Sequence, residues 1–230
     1  MCDNNSHSTS SEKANDSAPN HTSEKGKRAM EETTTIHATL MAKVNGRDAR
    51  IMLDSGAESS YICTDLIREL SIRPFKTERR AIEQMYGTVV KKVELYRVTV
   101  ASKAVDGFTM ELKCINGEKD VLTYLANPSI SELKKKYWKL RRLHFSDETT
   151  TESTLPVHII LRAADYQRIK TAEPAVLGPD ANKDPGAEFT MLGWTLSGMV
   201  TQENTQTEKT FFAKSAKDEF EQMCSMEVWV

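Results

Sequence analysis

The sequence predicts a mainly β domain with a few short helices and one longer basic helix inserted, and three observations favour this class. Apolar residues alternate with polar ones between Ile36 and Val44, which is the period of a half-buried strand. Asn45-Gly46 and Asn116-Gly117 are dipeptides that favour hairpin turns. Strand-like runs recur from residue 36 to residue 125, and the best helical period follows them between Ser131 and Leu143.

Length, charge and cysteine usage exclude several classes of protein. The 230 residues suffice for one ordinary domain with tails but not for two large domains. A formal net charge of -2 gives no electrostatic argument for a general nucleic-acid binder or a membrane-surface protein. The cysteines are scattered and no histidine stands at metal-ligand spacing, so we expect reduced thiols, no metal site and no cofactor. Because the chain has no secretory leader and no apolar run of membrane-spanning length, we expect a cytoplasmic protein.

Composition divides the chain into three parts. Residues 1–33 are polar with almost no aliphatic side chains, which predicts a disordered leader or, equally, a spacer between modules of a longer precursor. Residues 34–200 are the predicted folded domain. Residues 201–230 are predicted to be a linker with a terminal amphipathic segment, Ala216–Met226, that leads toward a following module.

The first elements of the folded domain lead directly to an acid. The alternating residues 35–44, the Asn45-Gly46 turn and the apolar run Ala49–Leu53 predict a hairpin whose second strand ends at Asp54. Thr64–Leu70 follows with a capping residue and an apolar set at i, i+3 and i+4, so we predict a short helix there.

A second hairpin is predicted between Arg79 and Val100, with its tip near residues 84–87. Gly87 tolerates the positive φ that hairpin tips demand. The position of this hairpin after the acid favours a flap over a binding site, and the alternative is an ordinary surface hairpin. Further strands are predicted for Val105–Ile115 and Val121–Leu125, on either side of a turn.

The rest of the domain is predicted to hold the basic helix, a buried strand and a last hairpin. Ser131 is the predicted N-cap of the helix 131–143, whose basic side is either a solvated face or a phosphate contact. Leu155–Leu161 is an apolar run typical of a buried strand. Glu173–Ala187 is predicted to be a loop, and Phe189–Leu196 predicts a last strand or hairpin.

The tripeptide Asp54-Ser55-Gly56 is typical of half of an aspartic-peptidase active site. Hydrolysis of a peptide by carboxylates needs two of them close together, one ionised to activate water and one protonated to polarise the carbonyl. The chain contains this strand-turn segment once. We therefore expect a homodimer in which a twin supplies the second carboxylate across a two-fold axis.

With Leu53-Asp54-Ser55-Gly56-Ala57, a hairpin before it and a candidate flap after it, the chain resembles a retropepsin. Three further segments are similar to the peptidase region of Pao/BEL-type LTR retrotransposon polyproteins. These segments are Leu155–Leu161, Ala164–Thr171 and Leu192–Gly198. The resemblance covers about residues 36–200, and Phe220–Met226 is similar to the segment that leads into reverse transcriptase in such polyproteins.

The resemblance implies a closed β-barrel of the acid-protease type and a role for each site residue. Asp54 and its twin would share one proton and activate water, while Ser55 would hydrogen-bond the carboxylate. Gly56 would let the backbone approach the acid, and Ala57 would pack under the turn. The flap would close over an extended polypeptide substrate. The implied flap residues are Gln84, Met85, Tyr86, Gly87 and Thr88. The implied location is the cytoplasm or virus-like particles.

Arg162 departs from the retropepsin pattern, which places a glycine after the late apolar strand. Either Arg162 points outward after a local shift, or it lies near the carboxylates and holds both of them ionised. The second case favours an alternative function, a catalytically degenerate dimer that binds a peptide or a partner through the same groove. A third hypothesis assigns nucleic-acid binding to the basic helix, and we regard this as unlikely for the domain because such runs are usually solvated.

Overall fold

Within the residues that the structure describes, the strands form one large closed sheet and two small ones. The computed structural model describes residues 33–84, 87–148, 150–180 and 183–201. The predicted leader (apart from Thr33), the tip residues Met85 and Tyr86, and the terminal segment 216–226 lie outside these ranges. In chain order the strands are β1 (Thr33–Ile36), β2 (Thr39–Val44), β3 (Arg47–Leu53), β4 (Ser60–Ile62), β5 (Lys76–Gln84), β6 (Gly87–Ala101), β7 (Thr109–Asn116), β8 (Thr123–Ala126), β9 (Thr154–Val157), β10 (Ile159–Leu161), β11 (Gly186–Thr190) and β12 (Gly193–Thr201). The helices are α1 (Thr64–Leu70), α2 (Ile130–Lys136) and α3 (Ala163–Gln167), with a 3-10 turn at Trp138–Leu140.

The large sheet closes on itself. Its strand order is β2-β3-β10-β4-β7-β6-β5, and β2 also pairs with β6. This additional pairing joins the two ends of a six-stranded ring and leaves β5 outside it. The interior holds fully buried aliphatic side chains from strands around the ring, including Leu40, Ile51, Leu112 and Ile159. The predicted mainly β class with a closed barrel is therefore confirmed.

The first predicted hairpin is present, but its first strand is shorter than predicted. Asn45 (φ 45°) and Gly46 (φ 87°) both have positive φ, as a two-residue turn with the twist of the strands requires. The run that predicted one strand from Ile36 to Val44 is divided at residues 37–38. Its first part, β1, pairs with β12 in a separate sheet of order β1-β12-β11. The alternating residues from Ile36 to Val44 therefore belong to strands of two different sheets.

The helix and the long hairpin that follow Asp54 are confirmed. Helix α1 begins and ends where predicted, and Cys63 caps it by accepting a hydrogen bond at Sγ from Leu66 N at 3.4 Å. β5 and β6 pair from Lys76 to Gln84, so this hairpin is longer than the sequence pattern indicated. Its distal part is apolar and exposed on β6, where 57% of Val90 is accessible.

The predicted basic helix 131–143 is wrong in length and in its cap. Helix α2 ends at Lys136, and Tyr137 has an extended conformation (φ -108°, ψ 101°) before the 3-10 turn. Ser129, not Ser131, occupies the N-cap position. The helix does not continue as its apolar period predicted, because Tyr137 is buried and donates a hydrogen bond from its hydroxyl to Asp184 Oδ1 at 2.8 Å. This tertiary contact overrides the local propensity.

The apolar run 155–161 forms two strands and not the single strand that was predicted. β9 pairs with β8, whereas β10 lies between β3 and β4 in the closed sheet. His158 separates them: its N–H donates to Arg50 O, and its Nδ1 accepts from Arg50 N, both at 3.0 Å. Burial and the nearby Arg50 guanidinium lower the pKa of His158.

Acid should therefore destabilise the fold through His158. An unfolded histidine takes up a proton near its usual value of 6.5, while the folded one resists protonation. Stability is then fully present above that pH and is lost as the pH falls toward the lower pKa of the folded state. In His158→Asn an amide oxygen can accept the same backbone hydrogen bond without titrating. We expect the free energy of unfolding, measured with urea, to fall more steeply below pH 6.5 for the wild type than for the variant. If the two free energies fall in parallel with pH, the assignment to His158 is contradicted.

A buried ion pair attaches the segment between α2 and β9 to the closed sheet. Arg50 on β3 donates from Nε and Nη2 to the two carboxylate oxygens of Asp147 at 3.2 and 3.0 Å. Only 6% of the Arg50 side chain and 5% of the Asp147 side chain are exposed. The third guanidinium nitrogen, Nη1, donates to Pro156 O at 3.1 Å. β3 is therefore fixed from outside the sheet four residues before Asp54.

Candidate active site

Asp54 follows directly from the end of a buried strand. Leu53 is the last residue of β3, and β10 runs parallel to β3 with Leu161 opposite Leu53. Asp54 continues this pairing by one step, since its N–H donates to Leu161 O at 3.0 Å. On the other side of β3, Leu53 N donates to Ala38 O at 2.8 Å. The backbone that carries the acid is thus held on one side by β10 and on the other by the segment between β1 and β2.

The turn after Asp54 binds the carboxylate with its own backbone. Gly56 N donates to Asp54 Oδ1 at 2.8 Å, and Ala57 N donates to Asp54 O at 3.3 Å. A Cβ on residue 56 would lie 3.3 Å from the same Oδ1, so the lack of a side chain allows this close approach. Asp54 is half-buried, while Ser55 and Gly56 are exposed. The carboxylate therefore lies at the surface, where a second molecule can reach it.

The other predicted site residues lie in two places. Ala57 is half-buried in the same turn, and its carbonyl accepts a hydrogen bond from Ala163 N at 3.1 Å. The carboxylate hydrogen bond described above comes from the Gly56 backbone, and the role expected of the Ser55 hydroxyl stays a prediction. Gly87 and Thr88 are exposed at the start of β6, and Gln84 is the last residue of β5. Met85 and Tyr86 lie outside the described ranges.

One side-chain contact joins the long hairpin to the region of the acid. Arg80 on β5 donates from Nη1 to Ser59 Oγ at 3.4 Å. Ser59 lies between the Asp54 turn and β4. The middle of β5 is thus in contact with the segment that follows the turn.

A buried carboxylate that the sequence reasoning missed binds Ser60, the first residue of the strand that follows this turn. Asp165 on α3 accepts hydrogen bonds from Ser60 Oγ at 3.0 Å, from Arg162 Nε at 2.9 Å and from Arg168 Nη1 at 3.1 Å. Ser60 in turn accepts a hydrogen bond from Arg162 N at 3.1 Å. The spacing of two arginines three residues before and after an aspartate could have indicated the ion pairs. Nothing in the sequence indicated Ser60.

Arg162 is therefore turned toward Asp165, with 42% of its side chain exposed. Its backbone (φ -67°, ψ 163°) is extended and needs no glycine. Burial alone would raise the pKa of Asp165, but the hydrogen bonds from Arg162, Ser60 and Arg168 outweigh it and lower the pKa. Of the two alternatives for Arg162, its ion pair with Asp165 at 2.9 Å favours the one in which it points outward.

Replacing Asp165 by asparagine should destabilise the protein at neutral pH. The amide keeps one acceptor for Ser60 but loses the charge that both arginines bind, and because the arginines are half exposed we expect a loss of about 1 to 2 kcal/mol. The lowered pKa of Asp165 means that its stabilisation is present above its usual value of 3.8 and is lost as the pH falls below it. Urea unfolding at pH 7 and pH 3 measures the difference in free energy of unfolding between variant and wild type. If this difference is as large at pH 3 as at pH 7, the stabilising role given to the Asp165 charge is contradicted.

His37 is a second titratable group beside the acid that the sequence did not indicate. It is half-buried and lies between β1 and β2, next to the Ala38 carbonyl that binds Leu53. Burial lowers the pKa of His37, and the negative charge of Asp54 acts in the opposite direction.

The described residues contain no group of three or more metal-binding side chains that could hold a metal ion. Among the same residues, no helix has the length and apolar character needed to cross a membrane. Cys63 and Cys114 are buried free thiols. The polar features of this region are therefore the Asp54 turn, the Asp165 cluster and His37.

Comparison with known proteins places the Asp54 turn inside a recognised sequence pattern. Residues 40–125 match the family described as gag-polyprotein putative aspartyl protease. A search of curated proteins gave no match. The matched segment runs from β2 to β8 and includes the candidate acid, its turn and the long hairpin.

Solved structures similar to this chain include three proteases. The solution structure of simian foamy virus (mac) protease has 18% identity over 56% of this chain and 91% of its own, with a TM-score of 0.30. The EIAV protease complexed with the inhibitor HBY-793 has 20% identity over 35% of this chain and 73% of its own, with a TM-score of 0.28. A retropepsin-like aspartic protease from Rickettsia conorii has 12% identity over 74% of this chain and 93% of its own, with a TM-score of 0.33.

Proposed function

We propose that this chain is an aspartic endopeptidase whose active site forms when Asp54 meets Asp54 of a second copy. The observation that carries the proposal is the position of the acid. Asp54 directly follows the last residue of a buried strand, its Oδ1 accepts the Gly56 N–H at 2.8 Å, and Ser55 and Gly56 after it are exposed. The segment that matches gag-polyprotein aspartyl proteases contains this turn.

A second copy is required because the chain carries one Asp-Ser-Gly turn. Carboxylate-catalysed hydrolysis needs an acid and a base at the same carbonyl group. A two-fold axis near the exposed turn would place two identical carboxylates together, and repulsion between the charges would leave one proton shared between them. The predicted homodimer is thus part of the proposed mechanism.

The chemistry follows from this pair. The ionised carboxylate takes a proton from a water molecule, and the water oxygen bonds to the scissile carbonyl carbon. The protonated carboxyl group gives its proton to the carbonyl oxygen, which forms a neutral tetrahedral diol. In the second step the carboxyl group that took the proton from water gives it to the leaving nitrogen and the C–N bond breaks. The other carboxylate takes a proton from one diol hydroxyl, whose oxygen becomes the carbonyl oxygen of the new carboxyl group. The Gly56 N–H would keep Oδ1 of each acid oriented through both steps.

The β5–β6 hairpin is proposed as the flap that covers the substrate. Arg80, in the middle of its first strand, contacts Ser59, three residues after Gly56. Val89 and Val90 on its distal part are 48% and 57% exposed, which gives it an apolar surface that a bound polypeptide would cover. We assign substrate contacts to Ala57 and to residues 84–88. Closure would exclude water and offer backbone hydrogen bonds to an extended chain.

We propose that the substrate is a retrotransposon polyprotein of the Pao/BEL type. The support is the resemblance of three segments of this chain to that peptidase region, together with the match to gag-polyprotein proteases. In this proposal residues 34–200 are the peptidase domain, and residues 1–33 and 201–230 connect it to other modules. Its place would be the cytoplasm or virus-like particles.

The proposal can be tested with the purified protein at a concentration where light scattering shows a dimer. Denatured casein at mildly acidic pH serves as a general polypeptide substrate, with and without a statine-type inhibitor that mimics the tetrahedral diol. We expect cleavage that the inhibitor abolishes. A dimer that cleaves nothing would instead support the degenerate binding module, and a strict monomer that cleaves would contradict the shared site.

A further inference from the structure

A surface cleft that lies outside the candidate active site combines apolar and basic side chains. We define the cleft by Trp138, Leu177, Pro179 and Pro185 together with Lys136 and Lys139. We propose that it binds residues 218–230 of the same chain, an acidic and apolar segment that the structure does not describe. The inference does not depend on the proposed peptidase activity.

The cleft is apolar at its centre and accessible. Trp138 is 69% exposed and Leu177 is 55% exposed, although both are large apolar side chains. Neighbouring exposed apolar residues on a surface commonly mark a binding site. An exposed tryptophan is also the residue type that contributes most often to the energetic centre of an interface.

The two walls of the cleft are held in place by hydrogen bonds. Tyr137 donates from its hydroxyl to Asp184 Oδ1 at 2.8 Å, and Lys139 Nζ donates to Leu177 O at 3.3 Å. Val176, next to Leu177, exchanges two backbone hydrogen bonds with Ala187 at 2.8 and 2.9 Å. The cleft is therefore a formed feature of the fold, which lowers the entropic cost of binding.

Positive charge surrounds the apolar centre. Lys136 and Lys139 line the cleft, and the neighbouring Arg141 and Arg142 are exposed. Asp184, next to Pro185, accepts hydrogen bonds from the Tyr137 hydroxyl and from Asp180 N, and its negative charge offsets one of these four cations. The surface as a whole thus favours a ligand that is both acidic and apolar.

The described chain ends beside this cleft. Gly198 on β12 lies against Pro185, because a Cβ at residue 198 would be 3.3 Å from Pro185 Cα. β12 then continues for three residues to Thr201, which is about 10 Å of extended chain. The sixteen residues between Thr201 and Asp218 can span far more than this distance.

Residues 218–230 combine the acidic and apolar side chains that suit a basic and apolar cleft. Asp218, Glu219, Glu221 and Glu227 are acidic, and no lysine or arginine follows Lys217. Large apolar side chains stand among these acids. They are Phe220, Met223, Met226, Val228 and Trp229. Attachment to the same chain raises the effective concentration of this segment at the cleft, so that weak contacts suffice.

The natural Cys224 allows a test in the full chain. Ala175 is exposed next to the cleft wall, and Ala175→Cys introduces a thiol there without changing a cleft residue. Cys2→Ser removes one competing thiol, and burial raises the pKa of Cys63 and raises that of Cys114 to about 12, which makes both poorly reactive. A short bismaleimide should then join residues 175 and 224 within one chain, identified by mass spectrometry of tryptic peptides. Lys113→Cys on β7 is the matched control site.

Reversing the charge of the cleft should release the segment. In the Ala175→Cys background, Lys136→Glu with Lys139→Glu should reduce the cross-link roughly tenfold, which corresponds to about 1.4 kcal/mol. Lys113→Glu should leave it unchanged, and circular dichroism checks that each variant is folded. Equal cross-linking to residues 175 and 113, or a yield unaffected by the double reversal, would overturn the proposal. Cross-links that join two chains and rise with protein concentration would also overturn it, in favour of binding by a second copy.

Discussion

Replacing Asp54 by asparagine is expected to lower the rate of peptide cleavage by at least about 100-fold, the usual contribution of one positioned acid or base. Asparagine can neither take a proton from water nor hold the shared proton. Since every dimer of the variant lacks both carboxylates, the loss should be larger than for one acid alone. Cleavage of denatured casein, followed at several pH values between 4 and 6, measures the effect.

The same substitution should leave the fold intact. The amide oxygen of asparagine can accept the Gly56 N–H in place of Asp54 Oδ1. A matched control is Asp65→Asn on α1, which removes a half-exposed carboxylate that pairs with Arg68 at 2.9 Å. We expect the control to cleave at the wild-type rate. Cleavage by Asp54→Asn at the wild-type rate would place the chemistry elsewhere.

The second large effect concerns stability. Asp147→Ala leaves the Arg50 guanidinium buried without its carboxylate, and breaking a buried ion pair in this way typically costs about 3 to 5 kcal/mol. With 6% of its side chain exposed, Arg50 has little contact with bulk water to compensate for the loss of Asp147. Urea unfolding at neutral pH gives the change in the free energy of unfolding. A loss below about 1 kcal/mol would contradict the burial of this pair.

Two further variants separate the ion pair from its surroundings. Asp48→Ala removes an exposed carboxylate that contacts Lys43 and Lys103, both at 2.9 Å, and should cost less than about 1 kcal/mol. Arg50→Met combined with Asp147→Leu replaces both charges by apolar side chains. We expect this double variant to be more stable than Asp147→Ala alone, because no buried charge is left unpaired.

The parts of the fold that the sequence predicted depend on local signals. Asn45-Gly46 needs positive φ at two adjacent residues, and the structure has it at both. Helix α1 was predicted at its observed bounds because its apolar residues have helical spacing and the capping signal lies at its start. The Asp54 turn was found for the same reason, since the strand, the acid and the glycine are adjacent in the chain.

The parts that were missed depend on partners distant in sequence. The break at His158 follows from its hydrogen bonds to Arg50, 108 residues away. The early end of α2 follows from the contact of Tyr137 with Asp184, and the buried Asp165 depends on Ser60, 105 residues before it. A periodicity argument cannot contain such pairs, because it compares residues only with their neighbours.

The most direct test of the shared active site is a mixing experiment with wild-type protein and Asp54→Asn. The two are refolded together at a fixed total concentration, with the fraction of wild type varied and dimer formation checked by light scattering. If each site needs an Asp54 from both copies, activity follows the square of the wild-type fraction, so that an equal mixture keeps about one quarter of full activity. Activity that falls in direct proportion to the wild-type fraction, to one half in the equal mixture, would show that a single copy carries a complete site and would contradict this account.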